Sequence, residues 1–331
     1  MTAERELGWS HGRFAVLPTA GMLAWAEFDL DGQRFRPFAR ADWMGTITDP
    51  AIVGHLRELG GEFVGVPFGS SPPPEGMTED WRRCAGSHCN PTDHGPSADR
   101  DWEVVSCADG AVHMRLDYDE DSPVARLERH VSGRDGSPAL DFRLEIHARR
   151  PALVSVGLHP IFRLPETPGQ LQIDAGFELG QTYPGLIPPG KTRALPNRDF
   201  TSLSEVPAPG GTTDLGRLPP AGEVEEVLLL GGATGPAVLR YLEDRAAVTL
   251  DWDREILPSL MLWISDHGAE DPPFNGRYRG LGVEPLAAAF DLADAISTAP
   301  NPLNRRGLRT AVQITPQAPV PVDYSVSAAP L

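Results

Sequence analysis

Two short motifs, far apart in the chain, each place an ionisable side chain directly before a proline. His159 begins the segment His-Pro-Ile-Phe (159–162), and Glu284 lies in Gly-Val-Glu-Pro (282–285). An imidazole has a pKa close to neutrality, and partial burial raises the pKa of a carboxyl group toward it. The two side chains are therefore candidates for a general acid and a general base acting on one substrate.

The residues before His159 predict the element that positions it. Positions 152–158 read Ala-Leu-Val-Ser-Val-Gly-Leu, an apolar run typical of a buried strand. His159 is then expected where this strand runs out toward solvent, a place where site residues often lie.

Alternation of apolar and polar residues predicts further strands. It occurs at 112–118, 140–146 and 248–252, and a fourth, continuously apolar run follows at 260–264. Turn signals such as Asp31-Gly32 and the Arg-Asp-Gly of 134–136 suit antiparallel hairpins. We predict an all-β, antiparallel sandwich with a few short helices, one of them over 49–61 and another over 286–299.

The chain is predicted to form one domain over residues 1–331. Its proline-rich and glycine-rich stretch at about 183–222 is expected to be a surface excursion, either a lid over a cleft or an insertion. The tail after Thr315 ends in a strand-like segment that we expect at a sheet edge.

Composition narrows the function classes. The 46 acidic and 29 basic residues give a net charge of -17, which disfavours nucleic acid and anionic membranes as partners and favours a small molecule. No run approaches the roughly 20 apolar residues of a membrane span, so a cytoplasmic protein is expected. Lys191 is the only lysine, which argues against Schiff-base chemistry. Three cysteines are too few for a disulfide framework.

Four motifs occur in an order that resembles a known family. They are the glycine-rich segment 60–69, the His94-Gly95 pair followed by 100–104, the segment 159–162 and the segment 282–285. In this order they resemble the aldose 1-epimerase (galactose mutarotase-like) family over roughly residues 15 to 328. The resemblance implies a β-supersandwich of large antiparallel sheets, and a sugar mutarotase that needs neither cofactor nor metal.

The resemblance also implies roles for individual residues. His159 matches the general acid, Glu284 the general base, and His94 a histidine that hydrogen-bonds the sugar. Arg100 matches the arginine that follows the His-Gly pair, although the spacing is longer here. The glycine-rich segment lacks the arginine that family members commonly carry, and Arg57 lies upstream of it.

Other residues are candidates for contacts with a sugar. Trp263, and also Trp81, could stack on the apolar face of a pyranose, or could serve as core residues. Arg279, with Arg277, could bind a carboxylate or phosphate on the sugar. The family's further aspartate has three candidates, Asp251, Asp253 and Asp266.

Alternative interpretations remain at this stage. The spacing Cys84-x4-Cys89-x4-His94, with His88 nearby, could bind zinc, but it departs from the usual pairing of structural sites and we predict no metal. A non-catalytic carbohydrate-binding protein and a different isomerase, lyase or hydrolase are both possible on the same scaffold. A retaining glycosidase would use two carboxylates, whereas here a histidine is paired with a glutamate.

Overall fold

The computed structural model of the chain describes residues 4–69, 73–85 and 90–331. The strands are β1 (Arg5–Trp9), β2 (Gly12–Leu17), β3 (Met22–Leu30), β4 (Gln33–Phe35), β5 (Glu62–Gly65), β6 (Glu103–Ala108), β7 (Ala111–Asp117), β8 (Val124–Gly133), β9 (Ala139–Ala148), β10 (Ala152–Val154), β11 (Val156–Phe162), β12 (Leu171–Asp174), β13 (Leu179–Thr182), β14 (Asp199–Phe200), β15 (Val206–Ala208), β16 (Gly211–Thr213), β17 (Arg217–Leu218), β18 (Val224–Gly231), β19 (Ala237–Tyr241), β20 (Ala246–Trp252), β21 (Ser259–Asp266), β22 (Arg279–Ala287), β23 (Val312–Ile314) and β24 (Val320–Pro330). The α-helices are α1 (Gly54–Arg57), α2 (Glu79–Ala85) and α3 (Asp294–Thr298).

Two large antiparallel sheets dominate the fold. The eleven-stranded sheet has the order β1-β2-β3-β5-β11-β22-β21-β18-β13-β14, with β4 added beside β3. The nine-stranded sheet has the order β17-β12-β19-β20-β24-β9-β8-β7-β6. The four predicted strands correspond to β7, β9, β20 and β21, and the predicted all-β antiparallel sandwich is confirmed.

The main hydrophobic core lies between the two sheets. Phe28 of β3, Val283 of β22 and Leu158 of β11 contribute to it from one sheet, and Leu144 of β9 and Val326 of β24 from the other. Because successive side chains of a strand point to opposite faces, residues 159 and 284 project from the other face of the eleven-stranded sheet. The core thus determines which face carries the two motif residues.

A buried ion pair joins the sheets through this core. Arg129 of β8 contacts Glu62 of β5, and both side chains are fully buried. Tyr324 of β24 donates a hydrogen bond from its hydroxyl to Glu62 at 2.9 Å, and Arg129 donates another to the carbonyl of Gly21. The glutamate of the glycine-rich segment therefore has a structural partner on the opposite sheet.

Both predicted helices are shorter than expected. Only residues 54–57 are helical in the first, because Leu59 and Gly61 hydrogen-bond through their backbones to Ala41 and Ala39. In the second, residues 286 and 287 belong to β22, and Phe290 has a φ of 56°, which a right-handed helix cannot contain.

The C-terminal strand is central, and the predicted edge position is wrong. β24 pairs with β20 on one side and β9 on the other. Its alternate residues Val322, Tyr324 and Val326 are buried, so the strand packs on the core along its length.

The stretch 183–222 contains the short strands β14 to β17 and one turn of 3-10 helix at Leu203–Glu205, which agrees with its many prolines. Its first residues, 183–192, approach the free face of the eleven-stranded sheet and form part of a cavity wall. Within the described part of the chain, no helix is long and apolar enough to cross a membrane.

Candidate active site

A cavity of about 920 Å³ covers the free face of the eleven-stranded sheet. Its floor comes from four neighbouring strands, β11, β22, β21 and β18, and residues 183–192 form part of its wall. The volume falls at the upper end of the range of small-molecule sites. His159, Glu284, His94 and Trp263, four of the residues predicted from the sequence, all line it.

The strand register brings His159 and Glu284 together. β11 and β22 are antiparallel, with Val156 opposite Ala287 and Ile161 opposite Gly282. Continuing this register places His159 directly opposite Glu284, and the His159 Nε2 atom lies 3.4 Å from Glu284 Oε1. His159 and Glu284, which are 125 positions apart in the sequence, therefore form a cross-strand pair.

The glycine of the second motif makes room for the carboxyl group. A Cβ atom at Gly282 would lie 2.2 Å from Glu284 Oε1 and 3.1 Å from the Cβ of Trp263. Any other residue at 282 would push the Glu284 carboxyl group from its position. This is a physical reason for glycine two residues before the glutamate.

Three rings hold the imidazole of His159. The ring of Phe63, its cross-strand partner on β5, stacks on it at 4.4 Å with an interplanar angle of 20°. The rings of His94 and Trp263 approach it edge-on at 5.3 and 5.9 Å. The imidazole is therefore oriented mainly by packing.

Burial favours the uncharged forms of the pair. It raises the pKa of Glu284 well above the usual value, with a smaller contribution from Asp291, and it lowers the pKa of His159 well below the usual value. Neither oxygen of Glu284 has a hydrogen-bond partner, and neither does Nδ1 of His159. Burial thus favours a neutral imidazole and a protonated carboxyl group in this pair.

His94 contributes a neutral hydrogen-bond donor. Its Nδ1 atom accepts a 3.4 Å hydrogen bond from the backbone N–H of Gly69, so the proton of the neutral ring is on Nε2. Burial lowers the pKa of His94 to about 4, which keeps the ring uncharged at neutral pH. The ring of His55, also buried, packs edge-on against it at 5.3 Å.

Glu225 is a site residue that sequence reasoning missed. It lies on β18, is 6 % exposed and lines the cavity. Trp263 donates a 2.6 Å hydrogen bond from Nε1 to Glu225 Oε1. Ser265, the cross-strand partner of Glu225, and the backbone of Ala269 lie close to the carboxyl group and lower its pKa, while Oε2 makes no hydrogen bond within 3.5 Å. Burial raises the pKa of Glu225 to about 7. A signal was present, because Glu225 and Glu226 are two adjacent acids in an otherwise apolar strand, Val-Glu-Glu-Val-Leu-Leu-Leu.

Asp291 is a second missed carboxyl group. It lines the cavity, its Oδ1 atom has no hydrogen-bond partner, and burial raises its pKa. Tyr183, from the start of the proline-rich stretch, interacts with it, and burial together with Asp291 raises the pKa of this phenol well above 10. Asp291 follows an alanine-rich run that pointed to a helix, so its position had no clear signal in the sequence.

The predicted arginines lie elsewhere. Arg100 pairs with Asp119, 3.1 Å away, and Arg279 lies between Asp266 and Glu166 at 2.6 Å from each. Neither is among the described residues that line the cavity. Arg57 donates a hydrogen bond to the carbonyl of Ile52.

The remaining candidates are also outside the cavity wall. Trp81 is buried and donates a hydrogen bond to Asn197, and Arg277 stacks over Trp43. None of the aspartate candidates, Asp251, Asp253 and Asp266, is among the described residues that line the cavity.

Two groups of residues are relevant to metal binding. Cys89 and His88 of the cysteine-histidine spacing lie outside the described residues, and Cys84 donates a hydrogen bond from Sγ to the carbonyl of Asp80. On the outer face of the nine-stranded sheet, His113, Glu128 and His130 form a close group. Their two imidazole rings stack at 4.1 Å and 12°, so the in-plane lone pairs do not converge on one point.

Solved structures provide the comparison with known proteins. A protein of Escherichia coli K12 named as a candidate aldose 1-epimerase superposes with a TM-score of 0.67 at 15% identity, with 100% of each chain covered. An aldose epimerase homologue from C. elegans gives 0.64 at 14% identity, also with 100% of each chain covered. A galactose mutarotase-like protein from Lactobacillus casei gives 0.61 at 14% identity, covering 98% of this chain and 100% of that one.

The similarity is one of structure. No protein-family model matches the sequence, and no curated protein matches it. Identities of 10 to 15% along whole chains establish the fold and leave the activity to be argued from the site. The chain has the galactose mutarotase-like fold, which confirms the fold that the four ordered motifs implied.

Proposed function

We propose that this protein interconverts the anomers of a sugar, with His159 and Glu284 as its acid-base pair. The observation that carries the proposal is the contact between one imidazole and one carboxyl group, 3.4 Å apart on a cavity wall. Ring opening of a hemiacetal needs one proton donor and one proton acceptor at the same time. The names of the structural neighbours, aldose epimerase and galactose mutarotase-like, support this choice of reaction.

The reaction opens and recloses the sugar ring. The Glu284 carboxylate takes the proton of the anomeric hydroxyl group while protonated His159 gives its proton to the ring oxygen. The bond between the anomeric carbon and the ring oxygen breaks, which leaves an aldehyde. After rotation about the adjacent carbon–carbon bond, the former ring oxygen attacks the opposite face of the aldehyde carbon and the ring bond forms again. In this step His159 takes the proton back from the former ring oxygen, and Glu284 returns its proton to the aldehyde oxygen.

The protonation state that burial favours is that of the open-chain stage. Neutral His159 and protonated Glu284 are the base and the acid that ring closure requires. Ring opening instead needs the proton on His159. A sugar hydroxyl that donates to an unpartnered oxygen of Glu284 stabilises the carboxylate and lowers its pKa, so binding promotes this transfer.

Two further residues position the sugar in this proposal. The Nε2–H group of His94 is a donor for a sugar oxygen, and its ring lies 5.3 Å from the ring of His159. Trp263 lines the cavity with an indole whose Nε1 is bonded to Glu225 and on which Tyr278 stacks at 5.7 Å. The part of the ring that faces the cavity is available for contact with a pyranose.

The test is anomer exchange measured by NMR over a panel of free sugars. The protein should accelerate exchange of at least one sugar, and His159→Asn and Glu284→Gln should each lower the rate at least ~100-fold. Two variants outside the cavity, His11→Asn and Glu243→Gln, serve as controls and should retain the rate. Calorimetric binding of a sugar without accelerated exchange would favour the non-catalytic carbohydrate-binding protein instead.

A further inference from the structure

The described part of the cavity wall is acidic. Its carboxyl groups come from Glu75, Asp93, Glu225, Asp271, Glu284 and Asp291. Among the described residues that line it there is neither an arginine nor a lysine, and the sequence has neither at 1–3, 70–72 or 86–89. Burial lowers the pKa values of the three lining histidines, so these rings are uncharged at neutral pH.

Lys191, a cation that borders the cavity wall in the sequence, is already paired. Lys191 lies between Gly190 and Thr192, which both line the cavity. Its Nζ atom is 2.7 Å from Glu223 and 2.8 Å from Glu270. Lys191 therefore offers no free charge to an anionic ligand.

Two of the carboxyl groups are almost fully buried and have oxygen atoms without a hydrogen-bond partner. Glu225 is 6 % exposed with a free Oε2 atom, and Glu284 is 0 % exposed with two free oxygens. Buried polar atoms in folded proteins nearly always have a hydrogen-bond partner, so these oxygens call for donors from a ligand. Asp291 also has an unpartnered oxygen but is less buried, and Glu284 is assigned to the chemistry. Glu225 is therefore the almost fully buried group left to select the ligand.

We infer that the sugar bound here carries a positively charged amino group held by Glu225, and that phosphorylated and carboxylated sugars are excluded. This inference rests on the proposed function for the ligand being a sugar. An ammonium group supplies three N–H donors and a compensating charge, and charge-assisted hydrogen bonds are about twice as strong as neutral ones. A phosphate or carboxylate would lose its hydration without gaining a cationic partner.

The geometry of Glu225 suits this role. The indole of Trp263 fixes one oxygen at 2.6 Å, so the second oxygen is held in a defined direction. With a pKa of about 7, Glu225 is partly protonated at neutral pH. Binding of an ammonium group favours the carboxylate, so it releases a proton, and affinity rises with pH through this range until the amine itself loses its proton.

The experiment compares D-glucosamine, D-glucose and D-glucose 6-phosphate by calorimetry and by NMR anomer exchange. At pH 7, D-glucosamine should bind at least ~10-fold more tightly than D-glucose, which is about the free energy of one charge-assisted hydrogen bond. D-Glucose 6-phosphate should not bind. Glu225→Gln should reduce the preference to within about threefold, whereas Glu243→Gln, a control on an exposed turn, should keep it.

A second readout uses the unmodified protein. Calorimetry in two buffers with different ionisation enthalpies should detect proton release on binding of D-glucosamine and none on binding of D-glucose. Equal affinity for the two sugars without proton release, or binding of D-glucose 6-phosphate as tight as that of D-glucosamine, would overturn the inference and leave the anomer exchange intact. Preference for D-glucosamine with no exchange of any sugar would support the inference and overturn the proposed function.

Discussion

At the scale of single residues, the site depends on a few side chains whose environments are unusual. Glu284 has two unpartnered oxygens in a fully buried position, and His159 has an unpartnered Nδ1 atom. Such groups are costly in a core, since an unsatisfied buried polar atom costs about 1–3 kcal/mol. Their presence together, against one cavity, is therefore better explained by a ligand than by packing.

Gly282 provides a residue-scale prediction. Gly282→Ala places a methyl group where Glu284 Oε1 now lies, and the flexible carboxyl group can move away without disturbing the backbone. We expect anomer exchange to fall by on the order of 100-fold, because displacement of a catalytic group by about 1 Å can have that effect. The melting temperature should change little. Gly235→Ala, where a Cβ atom meets nothing within 4 Å, is the matched control, and equal exchange rates in both variants would refute this role of Gly282.

At the scale of elements, the eleven-stranded sheet positions the site and the opposite sheet supports it. β11 and β22 are adjacent antiparallel strands, and the register of their pairing brings His159 beside Glu284. The Arg129–Glu62 pair links β8 to β5, which borders β11. The strand that carries His159 thus lies next to a strand tied to the second sheet.

Loss of Glu62 is the element-scale prediction. Glu62→Gln leaves Arg129 with a buried charge and no counter-charge, so the free energy of unfolding should fall by about 3–5 kcal/mol. Glu79→Gln, which removes an exposed partner of Arg83, should cost about 0–1 kcal/mol. Denaturant titration of both variants measures this, and a loss below about 1 kcal/mol for Glu62→Gln would contradict the bridging role.

At the scale of the whole molecule, the order of motifs and the alternation of strands were enough to predict the fold and the His159–Glu284 pair. They could not predict the central position of β24, because alternation reports which face of a strand is buried and not which strands flank it. They could not predict the partner of Arg100 either, because the sequence alone does not show which of many acidic residues forms an ion pair with an arginine. In the structure the partner of Arg100 is Asp119. Glu225 belongs to none of the four motifs, and only the position of β18 in the folded sheet brings it to the cavity.

The protein as a whole has the same sign of charge as the acidic cavity, with a net charge of -17. A field of this sign favours the approach of cations and disfavours that of anions, and the effect falls as salt screens it. The acidic cavity and the net negative charge of the protein therefore both favour cationic ligands over anionic ones.

The most direct test of the central claim is a double-mutant cycle on His159→Asn and Glu284→Gln, read as the rate of anomer exchange on the best sugar. Because the two side chains share one proton and act as one unit, the double variant should be about as slow as either single variant. If the two losses instead multiply, the side chains contribute independently. Exchange in the double variant at the wild-type rate would contradict the account altogether.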